Sequence, residues 1–284
     1  MNNNLLQKIL IVQRSEMTEH VFYKKVAAKQ KKQANKNLLN HIAEVELNHY
    51  NFWKKFSNQD TKPNIFKIYF YYFIVFLFGI TFGVRLMEKK HKKIKLLYLE
   101  LSQEIEGIDY IIDDENNHEK MHIDEIDEER LKYISSIVLG LNDALVEFTG
   151  AIAGLTFALS NTKLVALSGM IAGISASLSM ASSEYLSTKQ NANHRYALVS
   201  ATYTGVTYLL AVLLMILPYL VFSNILYSLF TMLIIVVVII FMFNYYIAIA
   251  KELSFKKRFS EMIVISLGVA TLSFLMGLVV RSLL

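Results

Sequence analysis

The stretch IVLGLNDALVEFTGAIAGLTFAL, residues 137–159, decides the fold of this chain. It is apolar over a length that can cross a bilayer, since a membrane helix needs about 20 such residues. Two acids interrupt it, Asp143 and Glu147, and a third acid, Glu184, interrupts a second apolar stretch at residues 167–189. A carboxylate in hydrocarbon is costly unless it has a cation or faces a wet cavity. The pattern therefore predicts membrane helices that carry a path for ions or protons.

Charge divides the chain into two parts. Residues 1–133 hold 40 of the 53 charged side chains, and residues 196–250 hold none. This run of 55 residues is long enough for two spans, and Pro218 to Asn224 is the expected turn between them. With three further apolar stretches the prediction is five spans. They lie at 134–159, 164–185, two within 196–250, and 262–280.

Basic residues predict the orientation. They concentrate in the second and fourth loops of the membrane part, which by the positive-inside rule face the cytoplasm. We therefore expect a cytoplasmic N-terminal half and an outer C-terminus, in the plasma or inner membrane of a prokaryote. The net charge of +5 arises partly from these loops and indicates no nucleic-acid partner. The absence of cysteine excludes disulfides, thiolate zinc sites and iron–sulfur clusters.

The N-terminal half has the composition and the apolar periodicity of helices. We predict helices near 4–31, 35–57, 80–106 and 108–124. The 17 uncharged residues 68–84 are rich in aromatics and lie near the lower length limit for a span. A full crossing there would separate the first two helices from the last two. We therefore favour a helix that lies in the membrane interface or against the membrane domain.

Two Glu-x-x-His pairs in this half, Glu46 with His49 and Glu115 with His118, have the spacing of metal ligands. A Glu and a His three residues apart share one helix face, so both can bind one ion, and two such helices with carboxylates from two others make a paired-metal site. Oxygen and imidazole ligands suit iron, manganese or zinc. A single Glu-x-x-His arises easily by chance on a solvated helix, but two copies in one helical unit favour metal binding. The predicted ligands are Glu16, Glu46, His49, Glu88, His91, Glu115 and His118.

These segments resemble the four helices of rubrerythrin-like, ferritin-like domains. The resemblance lies in residues 16–27, AEVELNHY (43–50), MEKKHKKIKLLY (87–98) and DDENNHE (113–119). It implies a di-iron site with Glu16 as the ligand of the first helix, or Glu19 in its place. Where such domains usually have Glu-x-x-Glu, this chain has Glu88 followed by His91.

The two apolar stretches at 137–159 and 167–189 closely resemble the first two spans of the vacuolar iron transporter family. The resemblance implies a homodimer that exports Fe²⁺, often Mn²⁺ too, from the cytoplasm in exchange for protons. Asp143 and Glu147 are four residues apart and share one helix face, as do Met180 and Glu184 on the next span. Because the two spans run in opposite directions, these faces can meet. Carboxylates with a thioether would bind Fe²⁺ or Mn²⁺.

The predicted architecture is all-α: a ferritin-like four-helix di-metal bundle at residues 1–130, followed by a five-helix membrane domain at 131–284. The leading interpretation is a transporter of Fe²⁺, and of Mn²⁺ as a further substrate, whose bundle captures or senses the metal. The bundle's cofactor is expected to be Fe²⁺, with Mn²⁺ or Zn²⁺ as alternatives. A membrane-anchored di-iron ferroxidase or peroxidase is the competing interpretation, although a mere anchor needs no buried acids.

Overall fold

The computed structural model describes residues 3–89, 92–114, 126 and 128–283. These residues form helices and connecting turns, with no strand among them, so the all-α expectation is confirmed for the described chain. The chain divides into two compact units, residues 1–128 and residues 129–284.

The described residues of the first unit form six helical segments. The first two are the longest at 25 residues each, and α2 ends on Asn58 in the left-handed conformation. The segments are α1 (Asn3–Ala27), α2 (Gln33–Ser57), α3 (Ile65–Phe78), α4 (Ile80–Lys89), α5 (Lys92–Leu101) and α6 (109–114). The helix that we expected to continue to residue 106 ends at Leu101 and is followed by turns.

Trp53 lies at the centre of the core of this unit. Its side chain is fully buried and stacks on Tyr98, with ring centroids 5.9 Å apart. Around it pack side chains from α1, α5, α6 and the turn before α6. The cluster therefore joins helices α1, α2, α5 and α6 and the turn before α6. It consists of Ile9, Val12, Trp53, Tyr98, Leu101, Ile105, Ile108 and Ile111.

Helices α1 and α2 run antiparallel. Gln13 in the first half of α1 accepts a hydrogen bond of 2.7 Å from Ser57 at the end of α2. Near the other end of the pair, Lys24 forms an ion pair with Glu44. These two contacts show which positions of α1 and α2 lie opposite each other.

The apolar stretch 68–84 is not one helix. Gly79 divides it, with φ of +97°, a conformation that side chains with a Cβ rarely adopt. Glu128 fills the space beside Gly79 and accepts a hydrogen bond of 3.0 Å from the Thr81 backbone N–H, at the start of α4. A carboxylate is favourable there because the N-terminus of a helix carries partial positive charge.

The second unit begins with the short helix α7 (Glu129–Lys132) and contains five helices long and apolar enough to cross a membrane. This confirms the predicted number of spans. Span 1 (Ile134–Leu159) consists of α8 (Ile134–Asp143), a π-helical segment (Ala144–Phe148) and α9 (Thr149–Leu159). Each of the other spans is a single helix: span 2 is α10 (Thr162–Lys189), span 3 is α11 (His194–Val221), span 4 is α12 (Ile225–Ala250) and span 5 is α13 (Phe255–Leu283).

Asparagine side chains start three of these spans. Asn161, Asn193 and Asn224 each accept a hydrogen bond from a backbone N–H in the first turn of the helix that follows. Such caps satisfy amide groups that have no partner within the helix. The turn between spans 3 and 4 begins later than we expected, because Pro218 lies inside span 3, one turn before its end.

Glycine allows the spans to approach closely. A Cβ at Gly140 of span 1 would collide with the backbone of span 3 at Thr204, and one at Gly173 of span 2 would collide with Val212 of span 3. Small residues at helix contacts are typical of membrane proteins, because they permit close backbone approach. Spans 1, 2 and 3 therefore form a tightly packed group around the acidic positions.

Candidate metal sites

The first unit brings together three of the predicted ligands. Glu16 lies on α1, and Glu46 and His49 lie one turn apart on α2. One possible ligand atom from each lies within 4.8 Å of the other two. All three residues are at most 2% exposed. Their convergence follows from the antiparallel pairing of α1 with α2, which places Glu16 opposite the Glu46–His49 face.

The two ring nitrogens of His49 face different partners. Nδ1 lies 4.0 Å from Glu16 Oε2 and 3.9 Å from Glu46 Oε2, while Nε2 lies 3.4 Å from Asp114 Oδ2 on α6. If Nε2–H donates to Asp114, the Nδ1 lone pair points at the two glutamates. Metal-binding histidines usually have this arrangement, in which a carboxylate fixes the tautomer and the orientation of the ring.

The charges of the cluster suit a cation. Two carboxylates and one imidazole leave net negative charge even when the imidazole is protonated, and buried charge is costly unless it is compensated. Burial raises the pKa of the Glu16 carboxyl to about 7, although nearby His49 opposes the shift. Tyr98 on α5 donates a hydrogen bond to Glu16 Oε1. A divalent ion could replace the proton on Glu16, so the donor set fits iron, manganese or zinc.

The remaining predicted ligands of this unit are not placed in the cluster. Glu88 lies half-buried on α4, and within the described residues it is not part of the three-residue group. His91, Glu115 and His118 lie outside the described residues. A second metal ion therefore stays a prediction. Glu19, the alternative to Glu16, is buried, and its carboxylate accepts a hydrogen bond of 3.0 Å from Ser15.

In the second unit, a carboxylate meets a hydroxyl between spans 1 and 2. Glu184 of span 2 accepts a hydrogen bond of 2.7 Å from Ser136 Oγ of span 1, and its side chain is half-buried. The contact confirms that the face of span 2 bearing Glu184 meets span 1. Nothing in the sequence singled out Ser136, because many serines lie in these two spans.

Asp143 and Glu147 form a second polar group. Asp143 directly precedes the π-helical segment of span 1 and Glu147 lies within it, and the two carboxyl groups interact electrostatically. Tyr208 of span 3, which is almost fully buried, interacts electrostatically with both. Short π-helical segments inside α-helices occur frequently at functional sites, where they redirect side chains.

The two polar groups lie at different depths. Asp143 is seven residues beyond Ser136, the partner of Glu184, which corresponds to about 10 Å along a helix. Met180 is one turn from Glu184 and packs, half-buried, against the apolar core of the unit. We expected the helix faces that bear these four residues to meet, and a common site stays a prediction. The positions of the acids indicate two carboxylate levels along spans 1 and 2.

The comparison with family models adds to this geometry. Residues 134–199 match the VIT family. The VIT-like region covers spans 1 and 2 and the beginning of span 3. It includes all four predicted membrane ligands and Ser136. No curated protein and no solved structure matches the chain.

The match covers less than half of the chain and ends near the beginning of span 3. The VIT-like region and the five apolar helices fit an integral membrane protein with a VIT-type membrane domain. The match does not extend into the first unit, so the ferritin-like resemblance of that unit stays a prediction.

Proposed function

We propose that this protein transports a divalent metal ion across the membrane, with Fe²⁺ and Mn²⁺ as its substrates. The observation that carries the proposal is the contact between Glu184 and Ser136, a carboxylate held between two apolar spans of the VIT-like region. A helix that only anchors a protein has no use for a half-buried acid, since such a group is costly in lipid.

The two carboxylate levels support a stepwise path. Glu184 offers oxygen ligands at one depth, and Asp143 with Glu147 offers them about 10 Å further along span 1. Each level can bind either a proton or a cation, because a carboxylate must lose its proton to bind metal. This competition is the basis for exchange of metal against protons. We propose export from the cytoplasm, by a homodimer in the plasma or inner membrane of a prokaryote.

Transport by reconstituted protein tests the proposal. Full-length protein in liposomes should take up Mn²⁺, or Fe²⁺ under anaerobic conditions, and a pH gradient should change the initial rate. Glu184→Gln and Asp143→Asn should each abolish uptake. Glu252→Gln, at an exposed position between spans 4 and 5, is the matched control and should transport normally. Normal uptake by both of the first two variants would disprove the path.

We propose that the first unit is a ferritin-like domain that binds metal through Glu16, Glu46 and His49. Support comes from the burial of all three and from the convergence of their ligand atoms. Full-length protein should contain bound iron, manganese or zinc, and Glu46→Gln should lower that content. Glu44→Gln is the matched control, because it changes an exposed glutamate of α2, and it should leave the metal content unchanged. Absence of bound metal from the wild type would contradict this part of the proposal.

A ferroxidase is the second candidate for this unit. The contact between Tyr98 and Glu16 favours it, since a phenol beside a metal ligand can take part in electron transfer. Bound iron would supply the redox chemistry, and the protein would supply the ligands and a site buried from water. Aerobic oxidation of Fe²⁺ by the full chain, lost in Glu46→Gln and retained in Glu184→Gln, would establish this activity as separate from transport.

A further inference from the structure

Helix α3 exposes an aromatic face that the metal site does not use. Among the described residues of the first unit, eight of twelve exposed large apolar side chains lie on this 14-residue helix. Phe66 is 80% and Phe76 is 75% exposed. The eight are Ile65, Phe66, Tyr69, Phe70, Phe73, Phe76, Leu77 and Phe78. An apolar patch this concentrated marks an interaction surface.

The opposite face of α3 is fixed on the protein. Ile68 and Tyr71 are buried there, and Tyr71 packs edge-on against Phe22 of α1. The backbone N–H of Asn64, just before α3, donates a hydrogen bond of 2.9 Å to Thr18 Oγ1 of α1. The contacts hold the helix in place on α1, so its aromatic face is a fixed feature of the unit.

We propose that this face lies in the headgroup region of the lipid bilayer, with α3 parallel to the membrane surface. Fourteen residues span about 21 Å as a helix, less than the roughly 30 Å of a hydrocarbon core, so α3 is too short to cross. Tyrosine and phenylalanine suit this region because their rings are apolar or amphipathic.

Charge indicates that the lipid is anionic. Helix α3 carries Lys67 and no acid, and Lys62 lies three residues before its start. Lys25 of α1 adds a cation beside the face, with Nζ 3.8 Å from the centre of the Tyr69 ring. Basic residues near an anionic bilayer surface contribute about 1 kcal/mol each to binding.

A second copy of the chain fits this face less well than lipid. A symmetric dimer pairs each patch with itself and would enclose Lys67, an exposed residue of α3, against a helix that has no acid to pair with it. The bilayer, in contrast, is available to every copy, because the same chain carries five helices suited to cross it. We therefore assign the face to lipid.

Spin labels test the assignment in the intact protein, because the chain has no cysteine to remove. Single cysteines would replace Phe66, Phe73 or Phe76 and carry a nitroxide, in full-length protein reconstituted in phosphatidylcholine with phosphatidylglycerol. Leu99→Cys is the control, since Leu99 is an exposed apolar residue on α5. Collision with oxygen and with a water-soluble nickel chelate should place the three α3 labels ~5–10 Å deep, at the boundary between headgroups and acyl chains. The control label should remain in water.

Each alternative gives a different result. Labels on α3 as accessible to nickel as the control would overturn the proposal. Labels shielded from both oxygen and nickel would show that protein covers the face, and short label-to-label distances would identify a second copy. If the α3 labels reach the same depth in bilayers of phosphatidylcholine alone, the role given to anionic lipid is overturned. Circular dichroism checks that each variant keeps its helix content.

Discussion

The contact between Asp114 and His49 predicts the effect of a single isosteric change. Asp114→Asn keeps the shape of the side chain but removes the negative charge that faces His49 Nε2. Loss of such an outer partner typically costs 10–100-fold in metal affinity. Here the distance is 3.4 Å and the Asp114 side chain is 31% exposed, so water weakens the interaction. We therefore expect a loss of metal affinity at the low end of this range, about tenfold or ~1.4 kcal/mol.

The affinity can be measured by competition between the protein and a chromophoric chelator for Mn²⁺ or Zn²⁺. Full-length protein carrying Asp143→Asn, Glu147→Gln and Glu184→Gln serves as the background, so that the membrane carboxylates do not contribute. Asp113→Asn is the matched control, because it makes the same change at the preceding, exposed position. Equal affinities for the Asp114 variant and the control would show that the imidazole is not a ligand oriented by this carboxylate.

Two further predictions concern the membrane unit. Ser136→Ala removes the donor to Glu184, and since hydrogen bonds to charged groups contribute about 1.5–3 kcal/mol, transport should fall roughly tenfold or more. Ser135→Ala, at an exposed neighbour, should leave the rate unchanged, and similar rates in both variants would contradict the pairing. Gly140→Ala should lower the stability in detergent by about 1–3 kcal/mol, because its Cβ meets the backbone of span 3. Gly268→Ala is the control and should not lower the stability, because a Cβ there meets nothing within 4 Å. Equal melting temperatures for the Gly140 and Gly268 variants would refute the close packing at Gly140.

The spans could be predicted from the sequence because a membrane imposes one simple requirement. Each helix needs enough apolar residues to cross, and this depends on local composition alone. The limits of span 1 agree with the prediction at both ends, and Asn161 and Asn224 begin the helices that follow the turns. Pro218 predicts the turn too early, since a proline one turn before the end of a membrane helix need not end it.

The partners of the acids could not be predicted, because they depend on contacts between distant segments. Asp114 is 65 residues from His49, and Ser136 is 48 residues from Glu184. Helical periodicity shows which face a residue occupies but not which face of another helix it meets. The contact of Glu128 with the start of α4 beside Gly79 belongs to the same class, because the two residues are far apart in the sequence.

The two kinds of carboxylate site suggest different residence times for a bound ion. In the first unit, two glutamates and a histidine are almost completely buried, so an ion bound there would exchange slowly. In the second unit, Glu184 is half-buried and paired with a neutral hydroxyl, and Glu147 is exposed. A transport path needs sites that bind well enough to admit an ion yet weakly enough to release it. The membrane carboxylates fit that requirement, and the buried cluster fits a site that retains its metal. We therefore expect dialysis against a chelator to remove metal from the membrane unit before it removes metal from the first.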